Sequence, residues 1–474
     1  MRATMTERQF ALLYELYQRG SMNSLSNAVA EKELAVFQTV AVAHGVISES
    51  CLFNVDTGLG KTLIATGIIN VLRKLKPGLR WIFVCQCSNI RSTYQKLSEG
   101  LYDSNVVYSD STEDSILEIF FTRRAVTADV IILSYEAIVS PCVEEFLFKN
   151  RHIFKGIFID ESQLISNLNS HTSKLISAIC NNCTFKYALT ATPLRINIDQ
   201  VINQIYMIDR RMFDGESLYT FSNQFKVWTD GRVTGYQHLD ELQQLLAPRM
   251  FSFTRSELGM RGNYKPIPVI CDTHKQYKDI PKLDQLKVVK SDVDGPALRM
   301  LASIVGQYIA QGKTGLIYSN LNIIKRTACQ YLQDLGYRVG ILDGTTTGTQ
   351  AKKEKVHKAF LNGEYDVLIT NITTGKDLPC DYIVFYEQTF DYKQMLGRGE
   401  RGLKGSDLDI VFILCTDTYE IEFFYNNVYQ RGLLLEELCG KDLSELRQAV
   451  RKMEALLGSK TNIRKEDLVN AASN

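Results

Sequence analysis

The chain has 474 residues, 45% of them hydrophobic and 23% charged, an ordinary globular balance that excludes wholesale disorder. Lys and Arg total 54 against 53 Asp and Glu, a net charge of +1. That excludes a histone-like polycation but leaves room for a locally basic groove.

Residues 1–34 read as an N-terminal helical extension, split near Gly20 to Asn23. Arg2, Glu7 and Arg8 make its start too charged for a signal peptide. From residue 50, short apolar runs alternate with segments long enough for crossover helices. The runs are Leu52–Val55, Trp81–Cys85, Val130–Leu133, Gly156–Ile159 and Tyr187–Leu189. This alternation predicts a parallel sheet with helices on both faces, over 35–255. A second series, Gly315–Tyr318, Val339–Leu342, Asp366–Thr370, Tyr382–Tyr386 and Asp409–Leu414, predicts another over 297–430. Between them, 256–296 carries Gly259, Gly262, Pro266, Pro268 and Pro281 and reads as an inter-lobe linker. The tail, 431–474, reads as helical, with apolar positions at i, i+3 and i+4 from Leu443 to Leu457. The predicted class is α/β, two parallel-sheet units with short helical extensions at both ends.

The 11 cysteines are odd in number and scattered, which reads as free buried thiols in a reducing compartment. Cys180 and Cys183 form a CxxC without the second pair or histidines that a zinc site needs. No apolar run reaches the 18 residues of a membrane span. The expected location is the cytoplasm, or the nucleus in a eukaryote.

Two motifs carry chemistry. Val55-Asp56-Thr57-Gly58-Leu59-Gly60-Lys61-Thr62 follows a predicted strand and opens a predicted helix, the context of a phosphate-binding loop. Glycines let backbone N–H groups close around phosphates at a helix N-terminus. Thr57, Gly58 and Gly60 form the cradle, Lys61 reaches the β- and γ-phosphates, and Thr62 offers its hydroxyl to Mg²⁺. The usual first glycine is Val55 here. Gly156 to Gln163 is an apolar strand ending in Asp160 and Glu161. At the carboxyl end of a parallel strand, Asp160 can hold Mg²⁺ and Glu161 can activate the water that attacks the γ-phosphate.

With these placed, residues 35–430 resemble superfamily 2 helicases and translocases, most of all the Swi/Snf-type ATPases. Phe37-Gln38 resembles the motif in which glutamine reads adenine. Ile132 to Glu136 resembles the Ser-Tyr-Glu segment on the nucleic-acid side of lobe 1, and Asp160-Glu161-Ser162-Gln163 the DEAH-type box. Leu189 to Leu194, with Thr190-Ala191-Thr192, is similar to the motif coupling ATP state to nucleic-acid grip. Gly235-Tyr236 with Leu239 to Leu242 resembles the stretch ending lobe 1. In lobe 2, Leu316 to Asn320 and Leu342 to Thr345 match the first two motifs. Thr373 to Pro379, with Gly375 and Asp377, resembles motif five, whose aspartate meets the ribose in the DEAD-box pattern. Gln394 to Gly402 matches Gln-x-x-Gly-Arg-x-x-Arg, whose arginines, here Arg398 and Arg401, act as fingers on the γ-phosphate.

The resemblance implies two tandem RecA-like P-loop domains with ATP and Mg²⁺ between them. It implies nucleic acid across both, DNA rather than RNA, and a monomeric motor that tracks along duplex. Ser88, Asn89, Arg91, Ser134, Tyr135, Ser319, Asn320 and Thr373, with Lys325 and Arg326, are the implied strand contacts. Ser162-Gln163 departs from the usual Ala or Gly followed by His, and the arginine usually found after the Asp-Gly segment of lobe 2 is absent. No wedge hairpin is read from the sequence. The absence of appended reader or nuclease motifs favours a minimal motor, as in a phage or mobile element. Two rivals stand beside it. One is a strand-separating DNA or RNA helicase, and the other a nucleotide-gated clamp on nucleic acid or a polymerase.

Overall fold

The computed structural model describes residues 33–109, 113–121, 124–194, 197–213, 215–259, 263–273, 280–343, 350–371, 378–389, 392–399, 407–416, 418–439 and 444–460. The chain divides after Thr254 into two compact units. Each is built on a parallel sheet, as the strand–helix alternation predicts, and the pair matches the two RecA-like α/β lobes that the resemblance implies.

The first unit holds β1 (Ser50–Val55), β2 (Arg80–Cys85), β3 (Val106–Ser109), β4 (Val130–Ser134), β5 (Phe154–Asp160) and β6 (Phe185–Thr190). It also holds β7 (Lys226–Thr229), β8 (Arg232–Tyr236) and β9 (Met250–Phe253). Seven of these form one sheet in the order β3-β4-β2-β5-β6-β1-β9, and every pairing is parallel. β1 and β4 are buried along their whole length, because helices cover both faces and leave no solvent side for polar residues. β6 lies between β5 and β1, with Asp160 opposite Leu189 and Thr190 opposite Asn54. The carboxyl ends of these three strands therefore share one sheet edge.

β7 and β8 form a separate antiparallel pair. The sequence reading contains no such hairpin, although Asp230-Gly231 between two Val- and Thr-containing runs is a strong signal for one. Both residues take the positive φ that such a turn requires, 50° and 73°.

The second unit pairs β10 (Tyr264–Cys271), β11 (Gly315–Tyr318), β12 (Val339–Leu342), β13 (Val367–Thr370), β14 (Tyr382–Phe385) and β15 (Leu408–Cys415). Their order is β10-β15-β14-β11-β13-β12, again all parallel. This corrects the reading of 256–296 as a linker. Tyr264–Cys271 is in register with Leu408–Cys415 from end to end, and Lys282–Ser291 is helical. Pro266 and Pro268 signal a break in a central strand, but β10 is an edge strand, where a missing N–H can face away from the ladder. The tail is likewise part of this unit: helix Ser444–Lys460 packs on β10, and Lys452 Nζ donates to the Pro266 carbonyl at 2.8 Å. The extension at 1–34 lies outside the described residues apart from its last two.

Each sheet places a glycine opposite a large ring. Trp81 faces Gly156 across β2 and β5, and Tyr382 faces Gly315 across β14 and β11. A Cβ on either glycine would lie 2.1 Å from the opposing ring, so the rings lie over bare backbone. All 11 cysteines are free thiols. Burial pushes the Cys180 thiol far up and that of Cys183 up to about 12. Among the described residues no helix is long and apolar enough to cross a membrane.

One ion-pair cluster braces the sheet edge next to β1. Asp209 ends helix Asp199–Ile208, is 2% exposed, and accepts from Arg249 Nε at 2.7 Å and Arg211 Nε at 2.9 Å. Arg249 immediately precedes β9. Burial alone would raise the Asp209 carboxyl, but the two arginines outweigh it and hold it below the usual range.

Two outcomes follow from this packing. Gly156→Ala overpacks the Trp81 contact and lowers unfolding stability by about 1–3 kcal/mol, read from urea denaturation; an unchanged midpoint contradicts the contact. Asp209→Asn lowers the melting temperature at pH 7. Because the folded-state pKa lies below the unfolded value of about 3.9, the pairing stabilises the fold above that pH. The deficit should shrink as pH falls through the folded-state value, and a pH-independent deficit rules out the ion pair as its source.

Candidate functional site

The loop between β1 and helix Lys61–Leu75 turns on two glycines in left-handed conformation, Gly58 at φ 78° and Gly60 at φ 80°. A Cβ on Gly60 would also lie 2.6 Å from Gln38 Nε2, so both backbone angle and space demand glycine there. Asp56 N–H donates to the Phe253 carbonyl of β9 at 3.1 Å, and Phe37 stacks on Phe253 with centroids 4.5 Å apart. Gln38 is buried. Its Nε2 donates to the Leu59 carbonyl at 3.1 Å, and its Oε1 accepts from Ala35 N–H at 2.9 Å. Of the amide expected at adenine, Nε2 thus braces the loop, and Oε1 closes the start of its own helix, Val36–Ser48. Lys61 opens the helix, and its Nζ donates back to the Val55 carbonyl at 3.0 Å, which holds the ammonium over the loop. Thr62 follows in the first turn, where unpaired N–H groups and the helix dipole favour an anion.

Across the same sheet edge, Asp160 ends β5, and Glu161 takes a left-handed φ of 52°. That conformation costs a non-glycine residue about 1–3 kcal/mol and persists only when its surroundings impose it. Here Gln163 Nε2 donates to Glu161 Oε2 at 2.7 Å, and Gln163 Oε1 accepts from Thr190 Oγ1 at 2.6 Å. Thr190 Oγ1 in turn accepts from Thr192 N–H at 2.9 Å. Alongside, Ser162 Oγ donates to Gln204 Oε1 at 2.7 Å, and Gln204 Nε2 donates to the Pro193 carbonyl at 2.6 Å. The turn after β5 and the loop after β6 are thereby tied by side chains at two points.

Burial, then the charge of Glu161, pushes the Asp160 carboxyl up to about 7, while Lys61 pulls it down. Asp160 and Thr62 supply oxygen donors. No cluster of three or more His, Cys, Asp or Glu that could hold a metal exists among the described residues. That donor set suits Mg²⁺, which takes one or two carboxylates, keeps waters and leans on substrate phosphates.

The nucleic-acid candidates separate into spent and exposed groups. Ser134 is fully buried, and its Oγ accepts from Ala137 N–H at 2.9 Å as a helix cap. Tyr135 donates its hydroxyl to the Asp160 carbonyl at 2.5 Å. Ser319 is fully buried and donates to Glu387, whose carboxylate also takes the N–H groups of Asn320 and Leu321. Lys325 is fully buried in an ion pair with Asp343. Ser134 is therefore spent on a helix cap, Ser319 and Lys325 are buried and each held by an acidic partner, and the half-buried Tyr135 has its hydroxyl committed to the Asp160 carbonyl. Ser88 and Asn89 are half-buried in a short turn after β2, while Arg91, Asn320 and Arg326 are exposed.

Gln394 is buried and Arg398 half-buried on helix Tyr392–Gly399 of the second unit. The Arg398 carbonyl accepts from Leu378 N–H at 2.8 Å. Thr373, Gly375, Asp377 and Arg401 lie outside the described residues. Sequence reasoning missed the linking role of Gln163 and the whole role of Gln204. Gln163 stood out as a departure in the box, but its partner depended on β5 and β6 being neighbours.

The SNF2-related domain family model matches residues 8–269. The chain is 24% identical over 245 residues to the chromatin-remodeling ATPase INO80 of Lodderomyces elongisporus, covering 47% of this chain and 15% of that protein. It is 26% identical over 167 residues to the ATP-dependent helicase FUN30 of Saccharomyces cerevisiae, covering 35% and 14%. The chain thus spans only a small part of the length of these curated relatives. The solved Sulfolobus solfataricus SWI2/SNF2 ATPase core in complex with dsDNA is similar at a TM-score of 0.41 and 15% identity, covering 88% of this chain and 95% of that one. With the family model matched over more than half of its length, and with a glycine loop and an Asp-Glu turn on one edge of a parallel sheet, the chain belongs to the SNF2-related family.

Proposed function

We propose that this chain is a Mg²⁺-dependent ATPase that uses hydrolysis to move along duplex DNA as a monomer. The observation that carries this reading is the hydrogen-bonded path from Glu161 through Gln163 to Thr190, set on the same sheet edge as the Lys61 loop. A site that only bound nucleotide would have no use for a strained carboxylate held in place.

In this mechanism the loop from Thr57 to Thr62 takes the phosphates on backbone N–H groups, and Lys61 leaves the Val55 carbonyl for the β- and γ-phosphates. Asp160 and Thr62 would hold Mg²⁺, which when bound neutralises phosphate charge. Glu161 orients the attacking water and accepts its proton, and Gln163 keeps that carboxylate aimed. Gln38 holds the loop from behind. Gly375 and Asp377 are assigned to nucleotide binding on their motif alone. Gln394, Arg398 and Arg401 add positive charge and hydrogen bonds where negative charge develops in the transition state. Arg91, Ser88, Asn89, Asn320 and Thr373 remain for the DNA backbone.

Duplex DNA is favoured over RNA by kinship with relatives named as chromatin-remodeling ATPases and as chromodomain-helicase-DNA-binding proteins. The clamp rival is disfavoured by the held Glu161.

ATP turnover should rise on adding duplex DNA at fixed salt and stay low with RNA. Salt must be constant because phosphate contacts weaken steeply with ionic strength. Lys61→Ala should abolish both basal and stimulated turnover while leaving the melting temperature near wild type. Equal stimulation by RNA overturns the substrate assignment, and normal turnover in the folded mutant overturns the site.

Glu161→Gln should lower kcat by about a hundredfold or more while nucleotide binding survives. Gln163→Ala should lower kcat by about tenfold, the loss of one hydrogen bond to a charged group, with KM little changed. A Gln163→Ala enzyme with wild-type kcat would show that Glu161 needs no such support.

A further inference from the structure

Two thiols of the second unit lie outside all of the chemistry above. Cys271 ends β10 and Cys415 ends β15, and they stand opposite each other in the parallel register. Opposed residues of neighbouring parallel strands point to the same face, with strands about 4.8 Å apart. That spacing lies inside the Cα separation of about 4.4–6.8 Å that a disulfide bridges. Both residues are buried, and the Cys415 thiol donates a hydrogen bond to the Cys271 sulfur.

Two small apolar residues would fill this space equally well, but the surroundings are charged. Lys290, on helix Lys282–Ser291, is wholly buried. Its Nζ lies 3.0 Å from Glu420 Oε2 and 3.0 Å from the carbonyl of Ile413, two residues before Cys415. Glu420 Oε2 also accepts the Cys415 N–H at 3.0 Å. The thiol pair therefore sits against a buried ammonium and carboxylate.

The two sulfurs are not equivalent. The hydrogen bond from Cys415, helped by the Lys290 charge, holds the Cys271 thiol below its ordinary value, against burial and the carboxylates of Glu420 and Asp272. Donating that bond, together with burial, pushes the Cys415 thiol well up. A thiol that ionises readily beside one that does not is a nucleophile with a resolving partner. The pair is also shallow. Asp272, next on β10, is exposed, Thr416, next on β15, is half-buried, and β10 ends the sheet.

We propose that Cys271 and Cys415 are an oxidation site, a dithiol that a small peroxide closes to a disulfide tying edge strand β10 to β15. The Cys271 thiolate attacks one peroxide oxygen. The O–O bond breaks, and the sulfenic acid of Cys271 forms while the departing hydroxide takes up a proton and leaves as water. The Cys415 sulfur then attacks the sulfenic sulfur. The S–S bond forms as the S–O bond breaks, and the second water leaves with the Cys415 proton. The two thiols lose two electrons, and the peroxide is reduced to two waters. In a reducing compartment such a bond is transient, as disulfides that sense oxidants are. This site is independent of the ATPase reading.

The full chain without nucleotide should be treated with hydrogen peroxide, its remaining thiols alkylated, and its peptides mapped over time. Peptides joined through Cys271 and Cys415 should appear at least about tenfold faster than Cys180 or Cys183 is modified, because burial pushes both of those thiols up. The rate should rise with pH through a midpoint below the value of about 8.5 for an ordinary thiol. Dithiothreitol should reverse the link. The oxidised chain should melt above the reduced one, because the bond closes a long loop in the unfolded chain. Cys415→Ala should stop at the sulfenic acid, captured on Cys271 by dimedone, whereas Cys271→Ala should leave Cys415 unmodified. Should either variant fail to fold, the wild-type time course and its pH profile decide the matter. The proposal is overturned if Cys271 and Cys415 stay reduced while other thiols oxidise, if either joins a different cysteine, or if they link only under conditions that unfold the chain.

Discussion

Parallel pairing of β6 with β5 on one side and β1 on the other is the constraint on which the candidate site depends. Parallel neighbours end at the same edge, so the glycine loop, the Asp-Glu turn and the Thr-Ala-Thr loop open side by side although they are far apart in the chain. At that edge a single glutamine is long enough to join two of the three. Gln163 donates to Glu161 and accepts from Thr190, and an amide can do both at once whatever the pH. The family-typical histidine at this place would depend on tautomer and protonation state. The Gln163 link is therefore insensitive to protonation of the linking side chain.

The helix Asp199–Ile208 extends this logic beyond the sheet edge. Its first residue holds the hairpin through Lys226, its Gln204 holds the turn after β5, and its cap Asp209 holds Arg249 before β9. β9 in turn accepts the Asp56 N–H and stacks Phe253 on Phe37. One helix thus holds the carboxylate turn and the hairpin through single side chains, and reaches the phosphate loop by way of Arg249 and β9. A rigid element with contacts at both ends and its middle transmits displacement better than side chains alone, because packed interiors do not deform continuously.

The second unit is organised by charge buried inside it. Lys325 pairs with Asp343, and Lys290 pairs with Glu420 while donating to the Ile413 carbonyl at 3.0 Å. All four side chains are wholly shielded from solvent. Such pairs contribute little net stability after desolvation, yet removing one partner strands the other. They fix the positions of helices against the sheet. Glu387 does the same for the start of helix Asn322–Asp334, by collecting Ser319 and two backbone N–H groups.

Five strands of each sheet were legible in the sequence because buried parallel strands are continuous apolar runs, and Gly60-Lys61-Thr62 and Asp160-Glu161 were legible because their chemistry is local. The edge strands β3, β9 and β10 were not. The prolines of β10 argued for a break until the structure put that strand at an edge, and the hairpin signal of Asp230-Gly231 was hidden inside a polar stretch. Nor could sequence say whether a hydroxyl or amine after a strand faces ligand or protein. Ser134, Ser319 and Lys325 occupy the expected positions, yet each is consumed by a partner, and two of those partners, Glu387 and Asp343, are brought in by the fold. The sequence by itself determined the α/β class and the identity of the phosphate and carboxylate groups, since these depend on short-range pattern. Only the tertiary structure decided which polar groups are spent and which tie Glu161 to Thr190, because those facts depend on which strands become neighbours.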